Sequence, residues 1–580
     1  MLDFRTTNSL WSSVMAEVLA RLGVETAVLC PGSRSTPLTV AFAQHPAIQA
    51  IPMLDERSAA FFALGRSRQT RQPTVLVCTS GTAGANFYPA VIEAQAGRVP
   101  LLIITSDRPP ELRDCNAGQT IDQQKLYGSY PNWYSELAIP STEPALLAYL
   151  RQTLIYAWER SRYPVAGPVH LNQPFRDPLA PIPQADVLAL AKQWDEPQFF
   201  AAITRGTSSP TPTLAPEAIA DHVATWGSCD RGVIIAGVDQ PDQPRAYCRA
   251  IAYLAKTLGF PVLAEGLSPV RNHADCNPYL VATYDGILRH PARAAALAPE
   301  VVIRIGEMPT SKVLRQWLDK TQPLQWVIDG GDRNLDPTHG RTHTLRCTLH
   351  QAVQSLHLAT VGPPDYLHEW LSAAASIRSL IDQHCTATER LVESKLSWLL
   401  GRSLPPQTPV VIANSMPVRD VEWFWPLNAQ QHQMIFSRGT NGIDGTLSTA
   451  LGACYGRQGV LITGDLACLH DTNGFLVRHH WQGHLTVIVI NNNGGGIFGL
   501  LPIAQAEPAL FDTFFTTPQS VKFAHLCAAY GIEHQPIKSW EQLVQSLNPL
   551  PQSGIRVLEL LTDRSIDLHW RQTLWHRMRQ

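Results

Sequence analysis

The chain has 580 residues, of which 45% are apolar and only 16% charged, against about 25% charged in an average globular protein. That balance excludes a disordered or coiled-coil chain, and a net charge of −2 supplies no field to hold a nucleic acid. At about 150 residues per domain the length corresponds to three or four domains, and no apolar run reaches the roughly 20 residues needed to span a bilayer.

The opening stretch MLDFRTTNSLWSSVMAEVLARLG lacks a cationic start, and its apolar residues recur at helical spacing, so it is expected to be a helix and not a signal peptide. Three regions then repeat one theme: a short β-branched strand, a Gly/Ser/Asn/Asp turn, and a helical stretch. The first holds TAVLCPGSRS (26–35), AIQAIPMLDERS (47–58), PTVLVCTSGTAG (73–84) and PLLIITSDRP (100–109). The second holds GVIIAGVDQP (232–241), FPVLAEGLSP (260–269), VVIRIGEMPT (301–310) and QWVIDGGDRN (325–334). The third holds TPVVIANSMP (408–417), QMIFSRGTNG (433–442), GVLITGDLAC (459–468) and LTVIVINNNG (485–494). Continuous apolar strands alternating with helices predict parallel sheets covered on both faces. The expected fold is α/β, with three doubly wound parallel-sheet domains over 1–190, 210–360 and 385–580. Polar linkers are expected within 176–216 and near 360–390. The 11 cysteines are scattered without a CxxC pair, which reads as reduced, mostly buried thiols of a cytoplasmic or organellar-matrix enzyme.

In such sheets ligands gather at the carboxyl ends of strands. The polar residues there are Ser33-Arg34, Asp55-Glu56-Arg57, Ser80-Gly81, Asp107-Arg108, Ser415, Arg438, Asp465 and Asn491-Asn492. Taken singly, each is also an ordinary turn former or helix cap. One combination is stronger. Gly464-Asp465-Leu466 follows one strand and Asn491-Asn492-Asn493-Gly494 follows the next, and the 24 residues from Ala467 to Ile490 have room for one helix and one strand. Asp465 and Asn492 therefore emerge on one sheet edge. With the Gly494 carbonyl they offer three hard oxygens, which suits Mg²⁺ (or Mn²⁺) shared with a phosphate ligand.

This pair resembles the diphosphate-binding motif of the thiamine-diphosphate enzymes, with Leu466 standing where the general motif has a second glycine. The resemblance implies a glutamate on another domain that hydrogen-bonds the cofactor's aminopyrimidine. Glu56, which follows a strand and opens an apolar helix, fits that place, with Ser80 and Gly81 beside it. The strings PGSRSTPL (31–38), TSGTAGAN (79–86), SDRPPELRDCNAGQTIDQ (106–123), SRGTNGIDGTLSTALG (437–452) and NNNGGGIFGLLP (491–502) narrow the likeness to the MenD family, over essentially the whole chain.

That family's chemistry implies two small-molecule substrates, 2-oxoglutarate and isochorismate. The first loses CO₂ and its succinyl remnant adds to the conjugated alkene of the second, in menaquinone or phylloquinone synthesis. By the same resemblance Ser33, Arg34, Arg108, Gln119, Lys312 and Arg438 line the isochorismate side. Ser415 and Arg419 hold the succinyl carboxylate. Ile443 bends the cofactor, and Ile497, Phe498 and Leu501 form an apolar wall. Val313 departs from relatives that carry a second basic residue after the lysine. The likeness also implies a homodimer or homotetramer with active sites at the dimer interface, where Glu56 of one subunit serves the cofactor held by Asp465 of the other. A different thiamine-dependent decarboxylase or acetolactate-type carboligase is the alternative, though its motif favours GDG. A non-catalytic protein of the same fold would have lost Glu56 or the metal ligands. His479, His480 and His484 read as a solvated helix end and not as a zinc site, and the middle region, which lacks GxGxxG, reads as mainly structural.

Overall fold

The computed structural model describes residues 2–201, 203, 217–356 and 364–580. Runs of Val, Ile and Leu bounded by turn formers become strands, and these assemble into three six-stranded parallel sheets. The first contains β1 (Thr26–Leu29), β2 (Gln49–Pro52), β3 (Thr74–Cys78), β4 (Leu101–Asp107), β5 (Trp133–Glu136) and β6 (Pro168–Pro174). Its order is β2-β1-β3-β4-β6-β5. The second contains β7 (Gly232–Ala236), β8 (Val262–Ala264), β9 (Leu280–Val281), β10 (Val301–Ile305), β11 (Leu324–Ile328) and β12 (Arg341–Leu345), in the order β12-β11-β10-β7-β8-β9. The third contains β13 (Pro409–Ile412), β14 (Gln433–Phe436), β15 (Arg457–Gly464), β16 (Gly483–Asn491), β17 (Glu533–Ile537) and β18 (Gly554–Leu561), in the order β14-β13-β15-β16-β18-β17. The first and third sheets thus share one order, and the second has another. Burial on both faces explains the unbroken apolar runs: β1, β3, β4, β7 and β10 are buried along their whole length.

The chain divides into two compact units. One comprises Met1–Pro210, Ser437–Arg457 and Ala467–Leu485; the other comprises Thr211–Phe436, Gln458–Leu466 and Thr486–Gln580. The first has a core running from Trp11, Val14 and Leu38 through Val75, Ile104 and Leu171. In the second, one core passes from Val233 and Leu263 through Trp370 and Ile377 to Val410, Ile488 and Leu558.

That core corrects one expectation. Much of the stretch read as a polar linker near 360–390 is the helix Asp365–Thr386, which buries Tyr366, Leu367, Trp370, Ile377, Ile381 and Cys385. Those positions recur at the helical period, and full burial of Trp370 contributes on the order of 2–3 kcal/mol. Of the other linker, 176–216, the portion 204–216 lies outside the described residues, and Ala185–Leu190 and Glu196–Phe200 are short helices. His479 and His480 are exposed at the end of a 3₁₀ segment as expected, but His484, read as part of the same solvated end, is buried because it belongs to β16. Among the described residues no helix is long and apolar enough to cross a membrane.

Candidate active site

In the first unit the site residues stand at the carboxyl ends of β1 to β4. Glu56 opens the helix Glu56–Thr70, whose N-cap Asp55 accepts from the backbone N–H of Arg57 (2.9 Å) and Ser58 (3.2 Å). Capping sets the helix start and hence where Glu56 projects. Burial raises the Glu56 carboxyl above the ordinary carboxylate range, and the neighbouring Asp55 adds to the shift. The buried thiols of Cys30 and Cys78, at the ends of β1 and β3, feel the Glu56 charge.

Three residues of the segment after β4 grip the Ser80-Gly81 turn. Arg108 Nη1 donates to Ser80 Oγ at 3.0 Å, Gln119 Nε2 donates to the Ser80 carbonyl at 3.0 Å, and the Gly81 N–H donates to Gln123 Oε1 at 2.9 Å. Ser80 is fully buried, whereas Gln119 and Ser33 are exposed. Arg34 is 7% exposed. Its Nη1 donates to the Phe175 carbonyl at 2.9 Å, and its Nε finds no partner among the described residues. Burial lowers the Arg34 pKa, with the nearby Arg108 guanidinium adding to the effect. Two guanidiniums close enough to feel each other's charge, one with an orphan Nε and Asp177 at 3.7 Å as counter-charge, form a seat that an anionic ligand would complete.

Arg438 and Ile443 flank a loop fixed by Glu93, a residue absent from the sequence reading. Glu93 is buried and accepts from the backbone N–H of Gly439 (3.0 Å) and Thr440 (2.7 Å) and from Thr440 Oγ1 (2.8 Å), with Arg68 at 3.4 Å as counter-charge. The one signal for it is a lone acid within the apolar helix Tyr88–Ala96.

In the second unit Asp465 follows β15 and Asn492 follows β16. The Gly494 N–H donates to both, at 2.8 Å to Asp465 Oδ2 and 3.1 Å to Asn492 Oδ1. The two oxygens therefore converge on one place. Gly494 adopts φ 137, and a Cβ there would lie 2.3 Å from the Thr516 carbonyl, so no other residue fits. The Asn492 amide is oriented from behind: its Nδ2 donates to Glu393, leaving Oδ1 on the converging side. Burial pushes the Asp465 carboxyl up to about 6, with Glu393 adding to the shift. Beneath them Arg571 bridges Glu393 and, at 2.7 Å, Asp420, all three buried. Converging oxygens beside a crowded acidic pocket are a donor set that a divalent cation satisfies.

Ser415 adopts φ 70 and ψ −128 at the start of the helix Met416–Phe424, a strained conformation for a residue with a side chain. Arg419 Nη1 donates to the Ser415 carbonyl at 2.6 Å, so the two residues paired in the sequence meet in space. Ile497 and Phe498 are half-buried and Leu501 is exposed; Phe498 packs edge-on against Phe515, with ring centroids 5.8 Å apart. Lys312 is exposed in the first turn of the helix Lys312–Thr321. Val313 packs against the apolar core, so that position offers no second cation.

Comparison with known proteins gives a consistent picture. Residues 11–126 match the thiamine pyrophosphate enzyme N-terminal TPP-binding domain, residues 212–412 the middle domain of thiamine pyrophosphate enzymes, and residues 420–558 the C-terminal TPP-binding domain. A 2-succinyl-5-enolpyruvyl-6-hydroxy-3-cyclohexene-1-carboxylate synthase of Nostoc sp. is 58% identical over 573 residues, covering 98% of this chain and 97% of that protein. The protein of the same description from Acaryochloris marina is 57% identical over 576 residues, covering 98% of each. Among solved structures, benzoylformate decarboxylase from Polynucleobacter necessarius superposes with a TM-score of 0.70 at 15% identity, covering 96% of this chain and 98% of that one, a likeness of fold.

Proposed function

The chain belongs to the thiamine pyrophosphate enzymes, within their 2-succinyl-5-enolpyruvyl-6-hydroxy-3-cyclohexene-1-carboxylate synthase family, and from that premise we propose that it decarboxylates 2-oxoglutarate and adds the succinyl remnant to isochorismate. The products are 2-succinyl-5-enolpyruvyl-6-hydroxy-3-cyclohexene-1-carboxylate and CO₂, a step toward menaquinone or phylloquinone. The observation that carries this reading is the 58% identity, sustained over 98% of the chain, to a relative of that description. In this reading the pyrimidine-binding, central and diphosphate-binding domains span 1–190, 210–360 and 385–580. The enzyme is cytoplasmic and works as a homodimer or homotetramer with active sites at the dimer interface.

Thiamine diphosphate, when bound, supplies the electron sink that lets a 2-oxo acid lose CO₂ and its remnant act as a nucleophile. The chain's own residues do the rest. Asp465 Oδ, Asn492 Oδ1 and the Gly494 carbonyl would hold the Mg²⁺ (or Mn²⁺) that goes with the diphosphate. Glu56, its protonation eased by burial, would hold a proton toward a ring nitrogen of the aminopyrimidine. Ser80, Gly81, Ile443, Ile497 and Phe498 seat the rings. Arg34, Arg108, Arg438 and Lys312, with Ser33 and Gln119, bind the isochorismate carboxylates; guanidinium forks match that geometry. Ser415 and Arg419 take the distal carboxylate of the four-carbon unit, and Phe498 and Leu501 keep water from the reacting carbon.

The test is an assay with thiamine diphosphate, Mg²⁺, 2-oxoglutarate and isochorismate, following loss of isochorismate absorbance and product mass. Turnover that requires all four components is the expected result. Decarboxylation of pyruvate or another 2-oxo acid, with isochorismate untouched, would move the function to an acetolactate-type carboligase.

A further inference from the structure

The start of the helix that carries Glu56 is held by the residues on either side of it. Where the helix Asp465–His470 passes through Asp471 into the 3₁₀ segment Thr472–His480, three residues reach the start of the helix Glu56–Thr70. Arg57 Nη2 donates to the His470 carbonyl at 2.8 Å. Ser58 Oγ lies 3.4 Å from Asp471 Oδ1. Asn473 Nδ2 donates to Asp55 Oδ2 at 2.7 Å, while the other oxygen of Asp55 caps the helix. Residues 55, 57 and 58, on either side of Glu56, are thus each held by residues 470 to 473.

The same carboxylate holds a second helix. Asp471 is fully buried, and its Oδ2 accepts from the Ser448 N–H at 2.7 Å and its Oδ1 from Ser448 Oγ at 3.0 Å. Ser448 lies in the first turn of the helix Thr446–Cys454, which begins three residues after Ile443. The two helices touch backbone to backbone at Gly65 and Gly452, and Asp471 ties their N-terminal ends together. A buried carboxylate with three donors is expensive to leave unmade, which makes this link stiff.

We propose that Asp471 and Asn473 are positioning residues for the proton-handling glutamate, setting the height of Glu56 along its helix and its register with the helix that follows Ile443. The need is geometric: a proton shared with a ring nitrogen requires about 2.6–3.2 Å between heavy atoms, and a misplacement of about 1 Å can slow a reaction on the order of 100-fold. This inference rests on the reading of Glu56 as the residue that activates the cofactor.

The experiment follows exchange of the cofactor C2 proton for deuterium by acid-quench NMR in the holoenzyme. Cofactor affinity and the thermal midpoint are measured in parallel on wild type, Glu56→Gln, Asn473→Ala and Asp471→Asn. Exchange in Asn473→Ala is expected to slow by about 10- to 100-fold, with cofactor affinity within about twofold of wild type. Asp471→Asn is expected to slow exchange further. A purely structural role would lower the midpoint and the affinity together and spare the exchange rate of the molecules that do bind. Asn473 is only half-buried, so its variant decides the matter if Asp471→Asn does not fold. Exchange at the wild-type rate in Asn473→Ala, with Glu56→Gln inactive in exchange, overturns the positioning role alone. Exchange retained in Glu56→Gln overturns the reading of Glu56 and the inference with it.

Discussion

The first and third sheets have the same strand order and present the same strand ends, yet they display opposite charge. After β3 stands Ser80 and after the adjacent β4 stands Arg108; after β15 stands Asp465 and after the adjacent β16 stands Asn492. In the first pair a guanidinium leans on a hydroxyl at 3.0 Å. In the second, a carboxylate and an amide oxygen converge on one N–H. The residues following β2 and β14 invert the pattern, with Glu56 in one sheet and Arg438 in the other. The topology decides where polar groups emerge, and the side chains at those few positions decide whether the strand end is cationic or anionic.

The comparison breaks most severely at the cation end. Asp465→Ala is expected to weaken Mg²⁺-dependent cofactor binding on the order of 100-fold or more, seen as loss of the thermal stabilisation by cofactor plus Mg²⁺. Unchanged stabilisation would reject the metal assignment. At the equivalent anion end, Arg108→Ala should raise the KM for isochorismate by about 10- to 100-fold, from the 1.5–3 kcal/mol of hydrogen bonds to a charged partner. Decarboxylation of 2-oxoglutarate should be spared, and equal loss of both would place Arg108 elsewhere. Glu93→Gln, which loosens the loop between Arg438 and Ile443, should raise the same KM by roughly fivefold, about 1 kcal/mol, with kcat for partial decarboxylation little changed.

Stability toward acid turns on a separate residue. His170 in β6 is fully buried, and burial pushes its pKa down to about 3. The unfolded chain takes up a proton on this residue below about 6.5 and the folded chain does not, so stability falls as pH drops from 6.5 toward 3, by about 1.4 kcal/mol per pH unit. Urea midpoints at pH 7.5 and 5.5 should therefore converge in His170→Gln relative to wild type; an identical pH dependence in both would remove His170 as the cause.

What the sequence reveals depends on burial pattern. The strands of each region with continuous apolar runs are legible, and so are the polar residues at their ends. Strand β6 is missed because its polar residues His170, Asn172 and Gln173 are buried: Thr105 Oγ1 donates to Asn172 Oδ1 at 2.9 Å, and Asn172 Nδ2 donates to Asp107 Oδ2 at 2.9 Å. Polar side chains satisfied by one another leave no hydrophobic period to read. Edge strands β12 and β17 are mostly polar for the opposite reason, exposure. Asp465 and Asn492 are found because their spacing carries the chemistry. Glu93, Glu393, Asp471 and Arg571 are not, because an acid or base within a helix or turn looks solvated until the structure shows it buried.

The middle sheet ends differently. Its order places β7 beside β10 at the switch point, where a doubly wound sheet usually opens a crevice for a nucleotide. Here the chain beyond both strands zips together. Gly237 N–H donates to the Ile305 carbonyl at 2.9 Å, Gly306 turns at φ 79, and Val238 and Glu307 exchange backbone hydrogen bonds at 3.2 and 3.0 Å. A crevice stitched by backbone cannot widen without breaking those bonds, so its opening is set by the breathing of the sheet itself. The amides of Gly237, Val238 and Glu307 should then exchange with solvent as slowly as those of β7 and β10, making this closed edge part of the slowest-opening unit of its domain.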